Sequence, residues 1–248
     1  TGQRPPRDPL TSPLTFRDDL LKDQVVLVTG AGSGIGKAIA IQCARLGARL
    51  AICGRKVERL EETAAILRGL GAEVMVRPAT IRDAEDVDRL HAEVWERFGR
   101  LDHLVNNAGG QFPQAAIDYS VKGWNAVIDT NLNGTWYMMQ GAARRWVKQG
   151  KRDGSIVTIA AAVDRGLPGM AHTAASRAGV IALSQTLAVE WAEHGIRVNC
   201  IGAGAIESNG FNNYKEENVG GLFRTNPMLR AGDVQDVAEA VVYLTASS

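Results

Sequence analysis

The chain has 248 residues, 45% of them hydrophobic, which is enough for one domain with a large core. Its 28 Lys and Arg nearly balance 27 Asp and Glu, and a net charge of +1 gives no electrostatic grip on nucleic acid or an anionic membrane. No apolar run is long enough for a membrane span, no signal-peptide pattern opens the chain, and its cysteines and histidines lack metal-ligand spacing.

Residues 1–15, with Pro5, Pro6, Pro9 and Pro13 among polar residues, read as a flexible Pro-rich arm, and 16–248 as a single domain. The first strand is Val25-Val26-Leu27-Val28, which runs into Thr29-Gly30-Ala31-Gly32-Ser33-Gly34-Ile35-Gly36 and then into an apolar-periodic helix. Strand, glycine turn and helix in that order are the context for a dinucleotide. Gly30 suits a tight turn, Gly34 lets the main chain approach a diphosphate, and Gly36 lets the helix lie close. The N-terminal end of the helix then offers free N–H groups and the positive end of its dipole to the phosphates.

Strand and helix patterns alternate from there: Arg49–Cys53, helix Val57–Arg68, Glu73–Val76, and helix Asp83–Phe98 with Val87, Leu90, Val94 and Trp95 on one face. Leu101–Val105, a long helix Val121–Lys148, Ser155–Ile159, a long helix His172–His194, Ile196–Ile201 and a helix Val234–Leu244 complete the series. The alternation predicts an α/β fold, a Rossmann-like doubly wound parallel sheet with helices on both faces and ligands at the carboxyl ends of the strands. Residues 203–232, rich in Gly, Asn and charge, read as a substrate-covering lid. Its Phe211, Tyr214, Leu222 and Phe223 are candidates for an acyl pocket. Arg165, Lys215, Arg224 and Arg230 are candidates for a basic rim. Cys43, Cys53 and Cys200 read as reduced thiols of a cytoplasmic protein. The chain stops at Ser248 without a final strand, so a peroxisomal signal further on would not be seen.

Thr29-Gly30-x-x-x-Gly34-Ile35-Gly36, Asn106-Asn107-Ala108-Gly109, Asn131, Ser176-Arg177-Ala178-Gly179-Val180 and Gly195-Ile196-Arg197-Val198-Asn199 together resemble the short-chain dehydrogenase/reductase family. The resemblance runs from about residue 20 to the end and implies a nicotinamide cofactor. It places Ser33, Ile35, Thr80, Ile81 and Gly109 along the cofactor. Asn107 and Ala108 should lie against the adenine-side ribose, and the main chain near Ile206 should meet the nicotinamide carboxamide. It also implies a homodimer or homotetramer. The second strand ends in Cys53-Gly54-Arg55-Lys56, where an acidic residue would bind the ribose diol of NAD. A guanidinium there, with no carboxylate to repel a 2′-phosphate, points to NADP(H). The plain alternative is that Arg55 and Lys56 are the solvated start of a helix.

The family's Ser-Tyr-Lys set is replaced. Arg177 stands at the Lys place, Thr173 at the Tyr place, and Ala160 or Ala161 at the Ser place. A guanidinium keeps its proton in proteins, and a Thr hydroxyl has no useful acidity near neutral pH. Interconversion of an alcohol and a ketone would therefore lack its acid, a loss of roughly 10²–10⁴ in rate. Reduction of a C=C bond conjugated to a thioester needs only donors for the enolate oxygen, because the α-carbon can take its proton from water. Gln111-Phe112, Lys122 to Val127, Thr130-Asn131-Leu132 and His172 to Arg177 resemble peroxisomal-type trans-2-enoyl-CoA reductases and, more distantly, 2,4-dienoyl-CoA reductases, although Ala162 stands where the latter carry a catalytic Tyr.

The expected catalytic roles follow. Gln111 donates to the thioester oxygen with Thr173 as a second donor, Arg177 orients the cofactor ribose and adds positive potential, Asn131 holds a water or a helix kink, and Phe112 packs on the acyl chain. Tyr137 and Tyr214 are candidate proton donors from elsewhere. The substrate would be an acyl-CoA, with no nucleic-acid or membrane partner. Two other readings stand beside this one: a carbonyl reductase with a relocated donor such as Tyr214, and a catalytically silent NADP-binding subunit.

Overall fold

The computed structural model describes residues 7–208, 228 and 230–246. Six parallel strands form one sheet in the order β3-β2-β1-β4-β5-β6. They are β1 (Val25–Thr29), β2 (Arg49–Gly54), β3 (Val74–Pro78), β4 (His103–Asn106), β5 (Ser155–Ala161) and β6 (Arg197–Ala203). The helices between them are α1 (Gly34–Arg45), α2 (Val57–Gly69), α3 (Ala84–Phe98), α4 (Val121–Ile128), α5 (Gly134–Lys148) and α6 (Ala171–Glu190), with α7 (Val234–Thr245) after β6. The order reverses between β1 and β4, and in such sheets that switch point opens a crevice at the strands' carboxyl ends.

β1 is buried along its whole length, as a central parallel strand covered on both faces must be. Its residues alternate between two cores. Val26 and Val28 pack with Leu50, Ile52 and the helices α1 and α7, while Val25 and Leu27 pack with Leu90, Met138 and Trp146 of α3 and α5. Among the described residues no helix is long and apolar enough to cross a membrane.

Three expectations change. The helix expected over Val121–Lys148 is interrupted by a π-helical turn, Asp129–Asn133. The hydroxyls of Thr130 and Thr135 donate to Ala126 O and Asn131 O, 2.8 Å in each case, filling carbonyls that the wider turn leaves short of partners. The helix expected over His172–His194 starts at Ala171 and ends at Glu190, with a 3₁₀ turn over Ala192–His194. The arm expected over 1–15 is tied down from Arg7 onward. Arg7 pairs with Asp236 and Glu239 on α7, Thr15 Oγ1 donates to Glu239 (2.8 Å), and Arg45 donates to Pro9 O (2.9 Å).

Both ends of the expected lid are also fixed. β7 (Ile206–Glu207) pairs with β8 (Gly232–Asp233), directly ahead of α7. The expected lid and rim residues Phe211, Tyr214, Lys215, Leu222, Phe223 and Arg224 lie outside the described residues. Asp233 caps α7 in a capping box with Asp236 and also accepts the Arg7 N–H. Asp233→Ala is expected to cost about 1–2 kcal/mol, read as a fall of several degrees in the thermal midpoint.

Candidate cofactor and substrate site

The cofactor groove opens where β1 and β4 end. Gly30 has φ +67°, and a Cβ on it would come within 2.9 Å of the Asn107 amide nitrogen. A Cβ on Gly36 would run into Gly30 O and the same amide, so the start of α1 seats directly on the turn. Thr29 holds the opposite wall, its Oγ1 accepting from the backbone N–H of Asn107 (3.0 Å) and Ala108 (2.9 Å). The Asn107 side chain donates to Thr29 O at 3.0 Å and Gly30 O at 3.3 Å. Its amide is thus a brace between the two strand ends, a structural duty that the expected contact with the ribose did not include.

The groove has a volume of about 630 Å³. It is lined by the expected Gly30, Ser33, Gly34, Ile35, Arg55, Thr80, Ile81, Asn107, Ala108 and Gly109. Four cations also line it (Arg55, Lys56, Arg59 and Arg82), with no carboxylate among the lining residues. Ser208 reaches the groove beside Gly34 from the β7 side. Ile206 is not part of the lining, and lies instead in the β7–β8 pair with its side chain against Gly232.

This cradle fits a dinucleotide. The glycines leave room for backbone to approach a diphosphate, α1 begins at the turn, and the charged residues past β2 that line the groove are all positive.

Behind Gly109, at one end of the groove, stand Asn131 and the expected cofactor residue Arg177, neither of which is among the lining residues. Asn131 is fully buried in the π-helical turn. Its side chain forms a two-way bridge to Gly110, with Gly110 N donating to Oδ1 (2.9 Å) and Nδ2 donating to Gly110 O (3.0 Å). Nδ2 also reaches Ser176 Oγ at 3.2 Å. Asn131 therefore fixes the loop that carries Gln111. Arg177 Nη1 donates to Ile159 O at 2.9 Å, and its other terminal nitrogen lies where a Cβ on Gly109 would be. Among the described residues no carboxylate pairs with it. Burial pushes its guanidinium down to about 10, so it remains charged at neutral pH.

Thr173 is placed differently from its expected role. It is buried, with its hydroxyl 3.1 Å from His172 Nδ1, while its backbone N–H donates to the same nitrogen at 2.7 Å. A hydroxyl shut in against an imidazole cannot serve as a second donor to a thioester oxygen.

Phe112 meets His172 edge-on at 4.5 Å, and Tyr119 stacks on His172 at 4.6 Å. Phe112 thus packs on the protein's own rings. Tyr119 escaped sequence reading because its partner lies far along the chain. Its OH donates to Gly169 O at 3.2 Å. Tyr137 is partly buried and packs against the core that includes α3 and α5 residues. Gln111 is exposed on the loop that follows Gly110. Ala160 and Ala161 pair with Gly202 and Ala203 of β6, so the Ser place offers only a methyl group. Of the expected basic rim, Arg165 is exposed beside Asp164, and Arg230 Nη1 turns back to Ala231 O (3.1 Å). Among the described residues no three His, Cys, Asp or Glu side chains gather to hold a metal.

A family profile described as enoyl-(acyl carrier protein) reductase matches residues 30–248. The chain belongs to the short-chain dehydrogenase/reductase family. A probable 2,4-dienoyl-CoA reductase of Bacillus subtilis is 38% identical over 229 residues, covering 90% of each chain. A 3-oxoacyl-[acyl-carrier-protein] reductase of Staphylococcus aureus is 35% identical over 223 residues, covering 89% of each. Among solved structures, a short chain dehydrogenase from Bacillus anthracis is 39% identical with a TM-score of 0.84, covering 90% of each chain. Family membership makes the protein an oxidoreductase that uses a nicotinamide cofactor.

Proposed function

We propose that this oxidoreductase uses NADPH to reduce a C=C bond conjugated to an acyl-CoA thioester. The reading rests chiefly on the reacting end of the groove. The Tyr place holds a buried Thr173 committed to His172, the Ser place holds alanine, and a charged Arg177 without a carboxylate partner stands beside Gly109. Such a site can stabilise an oxyanion and, among the described residues, has no phenol at the Tyr place for protonating an alkoxide. NADPH, when bound, supplies the hydride to the β-carbon. The electron pair of the C=C bond moves toward the thioester, whose oxygen becomes an enolate. Gln111 donates to that oxygen, Arg177 adds a fixed positive potential, and Asn131 holds the Gly110 loop so that Gln111 is presented in register. The α-carbon then takes a proton from water.

The acyl-thioester part of the reading draws on the named activity of the Bacillus subtilis relative, and a 2,4-dienoyl-CoA is the second substrate to test. NADPH oxidation is followed at 25 °C with crotonyl-CoA, a longer 2-enoyl-CoA, a 2,4-dienoyl-CoA and a 3-oxoacyl-CoA. Turnover of an unsaturated thioester, with 3-oxoacyl-CoA slower by about 10² or more, is expected. Turnover of the 3-oxoacyl substrate alone makes the protein a carbonyl reductase. Tight NADPH binding with none of the four consumed makes it a holder of cofactor.

A further inference from the structure

The groove holds more positive charge at its adenosine end than one phosphate-reading arginine requires. Resting on the NADPH reading above, we propose that Arg59 and Arg82 join Arg55 around the cofactor's 2′-phosphate. Discrimination against NADH is then shared by three guanidiniums drawn from three different elements.

Topology brings them together. β2 lies between β1 and β3, and Arg55 follows its last residue. On the β1 side, a Cβ on Gly32 would be 3.1 Å from Arg59 Cβ and 3.5 Å from the Arg59 carbonyl carbon. The first turn of α2 is thus seated on the glycine turn, which sets the root of Arg59 at the groove. On the β3 side, Ala79 N donates to Gly54 O at 2.9 Å, so the segment carrying Arg82 leaves alongside the end of β2. All three arginines line the groove.

The arginines of the same neighbourhood that do not line the groove have carboxylate partners. Arg77 pairs with Asp86 (2.7 Å), Arg68 with Glu61 (3.1 Å) and Arg89 with Asp86 (3.5 Å). Among the described ion pairs, none involves Arg55, Arg59 or Arg82. The acids nearest Arg82 are otherwise engaged. Asp83 caps α3, and Asp86 takes Arg77 together with the Thr80 N–H (2.9 Å). Arg82 itself is steadied by one bond, from Nε to Thr130 Oγ1, which leaves its terminal nitrogens for a ligand. Three like charges at one opening repel each other in the empty protein, and a dianion removes that repulsion. The carboxylates of the same stretch, Glu58, Glu61 and Glu62, are not among the residues that line the groove.

The test is fluorescence titration of NADPH and of NADH into the full chain, the Arg55→Gln, Arg59→Gln and Arg82→Gln variants, and the Arg59→Gln/Arg82→Gln double variant. Each single change is expected to weaken NADPH about tenfold, to leave NADH within about twofold, and not to lower the thermal midpoint of the empty protein. On the unaltered protein, raising salt should weaken NADPH more steeply than NADH, a readout that needs no variant. The proposal falls if Arg59→Gln and Arg82→Gln leave the NADPH affinity unchanged, or weaken NADPH and NADH alike. If the unaltered protein holds NADH as tightly as NADPH, the cofactor reading itself fails. If only Arg55→Gln matters, that reading survives and the three-sided seat does not.

Discussion

Arg177→Met is expected to lower the rate of unsaturated-thioester reduction by about 10²–10³ while leaving the fold at least as stable as before. The two halves of this expectation have separate causes. A guanidinium held down to about 10 by burial, with a backbone carbonyl and no carboxylate for company, is a desolvated charge that the fold itself does not need. Replacing such a charge with an apolar side chain of similar length removes its desolvation cost. The same charge, itself buried and aimed at a developing enolate, acts where little solvent screens it. A residue serving only to pack against Gly109 would give the reverse pattern, with stability falling and turnover nearly intact. Steady-state kinetics and a thermal melt on one preparation therefore decide between the two. Arg177→Lys sharpens the test. The shorter ammonium keeps the charge and lacks the planar fork that spans Ile159 O and Gly109, so it should recover only part of the rate. Full recovery would mean that charge alone, and not its placement, is what the site uses.

The strands were legible because their signal is local. A run such as Val25 to Val28 can only be a covered strand at that length, and the glycine turn after it has one good explanation. Arg55 was legible for the same reason, standing at a fixed distance beyond the glycines. The π-helical turn was not. Its period differs from that of an α-helix by too little to show in a single stretch of residues, and its cause, the bridge from Asn131 to Gly110, spans 21 positions. Arg82 was hidden likewise, because only the hydrogen bond from Ala79 to Gly54 brings its loop beside β2. Thr173 shows another limit. Counting back from Ala178-Gly179-Val180 identified the position, yet the neighbouring His172 decides what its hydroxyl can do, and nothing in the spacing announces that the pair turns inward. Arg59 did leave a usable signal, lying four residues after Arg55 on the first turn of a helix that begins at Val57.

Acid should unfold this protein well before its carboxylates protonate, because two histidines are buried in the neutral form. His91 of α3 donates from Nε2 to Met138 O at 3.1 Å, and His103 of β4 donates from Nε2 to the Gln24 side-chain oxygen. In each ring the Nδ1 atom is buried without a partner. Burial pushes both down to about 4, with Arg145 adding to the effect at His91, while Asp102 opposes it and Arg197 and Lys151 reinforce it at His103. The unfolded chain takes up these protons near pH 6.5, and the folded one only near 4. Stability is thus complete above about pH 6.5 and declines as the pH falls toward 4, by up to about 1.4 kcal/mol per pH unit for each histidine. Together they remove on the order of 6 kcal/mol across that window, comparable with the whole stability of an ordinary domain. Asp102 and Asp86 act later. Their folded-state values are lowered by Arg100 and Lys151 for the first and by Thr80 N–H and Arg77 for the second, so what they contribute is lost only at more acid pH. Urea unfolding at pH 7.5, 6, 5 and 4.5 measures the slope. His103→Gln should cut it by about half, because the amide can still meet Gln24 and has no proton to gain. A variant whose stability falls with pH as steeply as the unaltered protein's would show that His103 is already charged in the fold, and the early acid transition would then need another source.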